Sequence, residues 1–356
     1  MMGFESGSPL SDQEPRLTSL AHGGGCGCKI APAVLSEMLA KVPPARPFVD
    51  LLVGNESSDD AAVWRLNDTQ ALVATTDFFM PVVDDPFDFG RIAATNALSD
   101  VYAMGARPIL ALALVGMPIN VLSPETIGRI LKGGANVCAD ADIPIAGGHS
   151  IDSVEPIYGL VALGLVDPNK LMTNRGAQAG DVLVLTKPLG VGVLSAALKQ
   201  GRLDAAGYAT LIASTTQLNV VGPSAADIEG VHAMTDVTGF GLAGHALEMA
   251  RGSGVQIELF DQPPMLEGVK ALLDQGVRTG ASGRNWDSYG SLVEGLGAGT
   301  LRDLLTDPQT SGGLLIAVAE DRLPTLNFTL GGFGLKAAAV VGRVRAGAPG
   351  VSVGPA

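Results

Sequence analysis

The chain has 356 residues, 47% of them hydrophobic and 17% charged, with a formal net charge of −13. That length suits about two domains with substantial cores. The acidic balance excludes a sequence-independent DNA or RNA binder, which needs a basic surface to displace counterions.

In chain order, residues 1–29 are polar and Gly-rich and end in Gly23-Gly24-Gly25-Cys26-Gly27-Cys28-Lys29. This composition predicts a flexible segment. A helix follows over 32–41, with Val34, Leu35, Met38 and Leu39 on one stripe. Strand-like runs then fall at 71–76, 108–115, 157–166, 182–186, 232–235, 255–260, 314–319 and 337–344. Helical stretches lie at 90–104, 124–139, 191–199, 242–250 and 266–273. The alternation predicts a layered α/β or α+β fold, without fixing the order of strands. The turn-rich stretch 167–180 reads as a domain boundary, giving domains over 30–168 and 169–356. The start of the chain has neither a basic nor an apolar leader pattern. The longest apolar run, 109–115, is far below the roughly 18 residues of a membrane span. Three cysteines are too few for a disulfide framework. A cytoplasmic protein without membrane or nucleic-acid partners is expected.

Seven segments carry chemistry. In Cys26-Gly27-Cys28-Lys29 a nearby lysine favours the thiolate, and Lys29 can meet phosphate as a point charge. The same residues also suit incidental thiols in a loose tail, or half a zinc site with His22. In Asn55-Glu56-Ser57-Ser58-Asp59-Asp60 the paired carboxylates suit magnesium, which takes one or two carboxylates plus phosphate oxygens; a solvated acidic turn fits as well. Thr75-Thr76-Asp77 closes a strand, where open α/β sheets place ligand contacts. Asn96 and Asp100 share one helix face, opposite Ala94, Ala97, Leu98 and Val101. Gly147-Gly148-His149-Ser150 offers backbone N–H groups for close approach to phosphate. Thr235-Asp236-Val237-Thr238 leads into Gly239, Gly241 and Gly244, a formal G-x-G-x-x-G with Asp261 at the distance of a ribose acid. Its hydroxyls and carboxylate suit a metal–phosphate site equally. Asp307-Pro308-Gln309-Thr310-Ser311-Gly312-Gly313 is a polar turn before a strand. Asp88-Phe89-Gly90 spells a kinase motif without its companion H-R-D loop, and no P-loop is present.

In this order, G-C-G-C-K, N-E-x-x-D-D-A-A-V, T-T-D-F-F-M-P, G-R-I-A-A-T-N-A-L-S-D, A-G-G-H-S, T-D-V-T-G-F-G-L-x-G-H and D-P-Q-T-S-G-G-L-L resemble the selenophosphate synthetase (selenide, water dikinase) family. Several of these motifs are shared with the wider aminoimidazole ribonucleotide synthetase-like group. The resemblance implies a two-domain α/β homodimer joined through its N-terminal sheet. It implies ATP, selenide and water as substrates, with selenophosphate, orthophosphate and AMP as products. Residue by residue, Cys26 matches the essential Cys or selenocysteine, and Lys29 its neighbouring lysine. Asp60, Asp100 and Asp236 match Mg2+ carboxylates, while Ser57, Ser58, Asp59, Asp77, Gly148, His149 and Ser150 match nucleotide-contacting segments.

Overall fold

The computed structural model describes residues 14–30, 32–42, 47–54 and 59–356. Two sheets divide it. The first contains β1 (Leu51–Val53), β2 (Ala62–Asn67), β3 (Gln70–Phe79), β4 (Arg107–Met117), β5 (Ile145–Asp152) and β6 (Ile157–Val166). Their order is β1-β2-β3-β6-β4-β5, antiparallel except for the β4/β5 pair. Helices α1 (Pro32–Leu39), α2 (Pro86–Ala103) and α3 (Pro124–Asp140) accompany it.

The second sheet contains β7 (Asp181–Leu185), β8 (Val231–Asp236), β9 (Gln256–Phe260), β10 (Val293–Glu294), β11 (Leu314–Ala319), β12 (Ala339–Arg345) and β13 (Gly350–Gly354). Its order is β10-β13-β9-β12-β7-β11-β8. The accompanying helices are α4 (Val191–Lys199), α5 (Ala205–Thr215), α6 (Gly222–Ala226), α7 (Gly241–Ser253), α8 (Val269–Asp274), α9 (Gly280–Tyr289), α10 (Thr300–Leu305) and α11 (Leu323–Gly332). All first-sheet strands end by Val166 and all second-sheet strands begin at or after Asp181.

Helix α2 positions the site. Asp85 caps it by accepting from the Asp88 N–H at 3.0 Å, and Pro86 supplies a favourable first residue. Every residue from Ile92 to Ser99 is buried. A helix buried all round belongs between layers rather than on a surface. One face of α2 packs on β3 and β6, and the other meets β8 and α5 of the second domain. The polar face carrying Asn96 therefore looks into the domain interface, not into solvent.

Period-two alternation along β3 puts Val73, Asp77 and Phe79 on the buried side and Thr76 and Phe78 on the exposed side. The opposite face of this sheet is left with exposed apolar side chains, among them Phe78, Ile109 and Ile151.

Three features go beyond the local pattern. Residues 146–150, not read as a strand, belong to strand β5, which pairs in parallel with β4. The pair Gly147-Gly148 hid its periodicity. Residues 14–29 do not lie apart from the core: they form short 3-10 turns at Leu17–Leu20 and Gly25–Cys28 that pack against both domains. Helices α5, α9 and α11 were not legible, because small and polar residues dilute their apolar spacing.

Helices α2 and α3 cross closely where Gly90 and Gly133 face backbone. A Cβ on Gly133 would overlap the Phe87 carbonyl oxygen, and one on Gly90 that of Ile130. Gly133→Val should cost about 3 kcal/mol, the upper end of ordinary overpacking, measured as a lowered Tm and denaturation midpoint. Gly128→Val, on the same helix with open space around it, should change stability far less.

Candidate active site

The end of β3, α2, the end of β8 and the Gly-rich segment converge on one cleft of about 700 Å³. Lys29, Asp60, Asp77, Asp100 and Asp236 all line it. The carboxylates are fixed by hydroxyl donors rather than cations. Thr75 Oγ1 donates to Asp100 at 2.6 Å and Thr235 Oγ1 to Asp60 at 2.9 Å. Ser99 Oγ donates to Asp236, and is itself held by Asn219 at 2.8 Å.

Such donors orient a carboxylate without cancelling its charge. Burial holds Asp60 and Asp100 well above the usual carboxylate range, and repulsion from Asp236 adds to it. Burial likewise raises Asp236, against help from Ser99 and His245. Asp60 Oδ2 is buried without a hydrogen-bond partner. An all-oxygen, acidic and partly unsatisfied donor set fits a hard divalent cation. Among the described residues no three such side chains are gathered closely enough to hold a metal alone.

Cys26 enters this network through Asn96. The Cys26 thiol donates to Asn96 Oδ1 at 3.1 Å, which also accepts the Ser311 N–H at 2.7 Å. The Asn96 amide in turn donates to Asp77 Oδ2, which lies 3.6 Å from Lys29 Nζ. Cys26 N–H donates to Thr310 Oγ1 at 3.0 Å. The turn carrying Thr310 and Ser311 is braced by Lys187, whose Nζ donates to the Ser311 carbonyl at 2.8 Å and to that of Gln217 at 2.6 Å. Burial pulls Lys187 down to about 7.

The thiolate expectation is corrected here. Cys26 is only 1% exposed, and burial pushes its thiol well above its ordinary value; Lys29 only partly offsets this. In this closed arrangement Cys26 is a neutral hydrogen-bond donor. Lys29 is held firmly cationic, chiefly by Asp77. Burial also raises Cys28.

The remaining expected residues divide. Asp59 lines the cleft, but its carboxylate ties the domains together, accepting from the Asn174 N–H at 2.9 Å and lying 3.4 Å from Arg175. Gly148, His149 and Ser150 are exposed on edge strand β5 and do not line the cleft within the chain. Ser57 and Ser58 lie outside the described residues. Ser99 and Thr310 were missed as site residues; Asn96 was read beside Asp100, and the hydroxyls flanking Asp236 were read with that carboxylate, without the partners the fold gives them. His245 also lines the cleft, bridging Glu248 at 3.1 Å and Thr238 at 3.3 Å.

The G-x-G-x-x-G does not build a dinucleotide site. β8 is an edge strand antiparallel to β11, and three strands separate it from β9, so the adjacent parallel strand pair of a dinucleotide-binding β-α-β unit is missing. Gly239 instead makes room for the N-terminal segment, since a Cβ there would crowd Lys29 and the Cys26 carbonyl.

The chain matches the AIR synthase related protein family, N-terminal domain over residues 58–166 and C-terminal domain over 178–354. It is 65% identical over 343 residues to a selenide, water dikinase of Burkholderia pseudomallei (strain K96243), covering 95% of this chain and 97% of that protein. It is 61% identical over 349 residues to one of Pseudomonas straminea, covering 96% and 97%. Solved structures of similar fold include thiamine-monophosphate kinase from Stenotrophomonas maltophilia K279a (TM-score 0.63, 22% identity, 92% and 96% covered). Another is hydrogenase maturation protein HypE in complex with ATP (TM-score 0.64, 20% identity, 82% and 84% covered).

The raised carboxylates set a pH dependence. Their folded pKa values lie above the unfolded ones, so the folded state binds more protons and, without metal, loses stability as pH rises from about 4 toward the folded values. In chelator-treated protein, Asp60→Asn should raise Tm relative to the unsubstituted chain, and the gap should widen as pH increases. A constant gap across a thermal-shift pH series would contradict the charge-repulsion account.

Proposed function

Since the chain belongs to the selenide, water dikinase family, we propose that ATP fills the inter-domain cleft with its phosphates toward Asp60, Asp100 and Asp236, and that selenide meets the γ-phosphate beside Cys26 and Lys29. The reaction takes ATP, selenide and water to selenophosphate, orthophosphate and AMP. The observation that carries the site assignment is the convergence of Lys29 and the three carboxylates on one cleft from segments more than 200 residues apart in the chain, with Cys26 tied to that cleft through Asn96 and Asp77.

Asp60, Asp100 and Asp236 would hold Mg2+, which would supply positive charge to offset the charge that shifts in phosphoryl transfer. Thr75, Thr235 and Ser99 keep those carboxylates aimed at the cleft. Lys29, kept cationic by Asp77, presents a point charge to phosphate. Asn96 orients the Cys26 thiol. The segment over the inner end of the cleft excludes water from the first transfer.

A homodimer through the first sheet is supported by the exposed Phe78, Ile109 and Ile151 on its open face. In such a dimer Gly148, His149 and Ser150, exposed on β5, are available to a partner's nucleotide. Reduced thiols suit the cytoplasm.

Incubation of the full chain with ATP, Mg2+ and selenide should yield AMP, orthophosphate and selenophosphate in equal amounts by phosphorus NMR. ADP accumulating as the stable product would sink this stoichiometry. Cys26→Ser should abolish selenophosphate formation, since a hydroxyl does not replace a thiol as a selenium-handling group. It should fold, because serine can still donate to Asn96, at a cost of about 1 kcal/mol. Asp100→Asn should lose Mg2+-dependent ATP binding by calorimetry; unchanged binding would place the metal elsewhere.

A further inference from the structure

A second opening lies on the other side of the Gly-rich segment. A cavity of about 310 Å³ lies between that segment, α4 and the start of α9. Lys199, Arg278 and Arg284 are in its wall. Arg278 is neutralised by Asp303 at 3.1 Å. Among the described residues, Lys199 and Arg284 have no carboxylate partner within ion-pair distance; they bond only backbone carbonyls. Lys199 Nζ donates to Ala21 O at 3.0 Å and Arg284 to Gly27 O at 2.8 Å. Both have spare donors for another anion.

This cavity leads inward. Gly27, Ala281 and Arg284 also wall a chamber of about 10 Å³, whose other residues include Cys26, Lys29 and Phe240. Lys29 and Phe240 then line the large cleft. The three spaces are thus neighbours that share walls: Arg284 and Gly27 separate the outer cavity from the chamber beside Cys26, and Lys29 and Phe240 separate that chamber from the cleft of carboxylates. The chamber has room for about one water-sized sphere. It suits a species with a single heavy atom and is too small for phosphate.

We propose that this is a basic port for hydroselenide, separate from the nucleotide cleft. Hydroselenide is an anion at neutral pH with one heavy atom. ATP seated in the cleft would block selenide from that side; the port lets selenide arrive with nucleotide already bound. Unpaired cations at its mouth raise the local concentration of anions. Arg284 stands at the junction of port and chamber, so it both attracts the anion and, through Gly27 O, holds the loop that bears Cys26. This proposal rests on the selenide reading above.

The test is steady-state AMP formation by the full chain, titrating sodium hydroselenide anaerobically at saturating ATP and Mg2+. Arg284→Ala should raise KM for selenide about tenfold, as expected for one lost charge-assisted contact, with KM for ATP and Tm unchanged. Arg284→Lys should restore most of the loss. Ala281→Leu narrows the neck without removing charge, and should also raise KM for selenide. The wild-type selenide KM should rise with salt more steeply than that of Arg284→Ala. If Arg284→Ala leaves KM for selenide unchanged, or raises KM for ATP by the same factor, the port is overturned. A wild-type chain that makes no AMP in response to selenide would instead fail the functional reading beneath it.

Discussion

Helix α2 is buried on both sides yet carries Asn96, Ser99 and Asp100, and the rest of the site depends on how that conflict is resolved. A buried polar group without a partner costs on the order of 1–3 kcal/mol. The partners come largely from outside the first domain: Ser311 N–H for Asn96, Asp236 and Asn219 for Ser99. Asp100 takes Thr75 from the adjacent strand. Docking of the two domains is thus the same event as completion of the site. Ser311 adds a bond to the Ile92 carbonyl, and Arg91 reaches Thr216, which extends the seam along the helix.

Charge within the seam is arranged to remain unbalanced. Hydroxyl groups, not cations of the chain, hold Asp60, Asp100 and Asp236 in place. Lys29 is nearest to Asp77, not to Asp60, Asp100 or Asp236. Under the proposed function, a cation arriving with phosphate would find ligands already oriented, and such preorganisation would let binding energy go to the charge that develops in phosphoryl transfer.

The N-terminal segment is held by the same logic of distributed polar contacts. Arg16 and Thr18 bind Asp84, His22 meets Glu155, and the Gly25 N–H donates to Met80 O at 2.9 Å. Lys199 and Arg284 fasten its carbonyls from the second domain. These contacts are mostly exposed, and exposed ion pairs contribute little each. Leu17 and Cys26 are the exceptions, sunk into the core cluster, with Leu20 and Cys28 packed against it. These buried anchors hold the segment down and set the thiol against Asn96.

Local pattern was enough to read much of the scaffold. The apolar runs of β3, β4, β6, β7, β11 and β12 and the helices α2, α3, α4 and α7 follow from side-chain periodicity and capping, which act over a few residues. Motif spacing likewise singled out Cys26, Lys29, Asp60, Asp77, Asp100 and Asp236, since chemistry-bearing residues in Gly-rich or strand-end settings stand out without coordinates. Strand β5 was lost because glycines erase alternation. Only the tertiary structure decided that β8 is an antiparallel edge strand, which removed the dinucleotide reading. Only it showed that the polar face of α2 is covered by the second domain. The state of Cys26 was decided there too: a lysine three residues away argues for thiolate, but burial and the surrounding carboxylates, brought in from residues 77 and 236, outweigh it. Sequence neighbours determine what a group can be; desolvation and long-range charge, which depend on the packed fold, determine what it is.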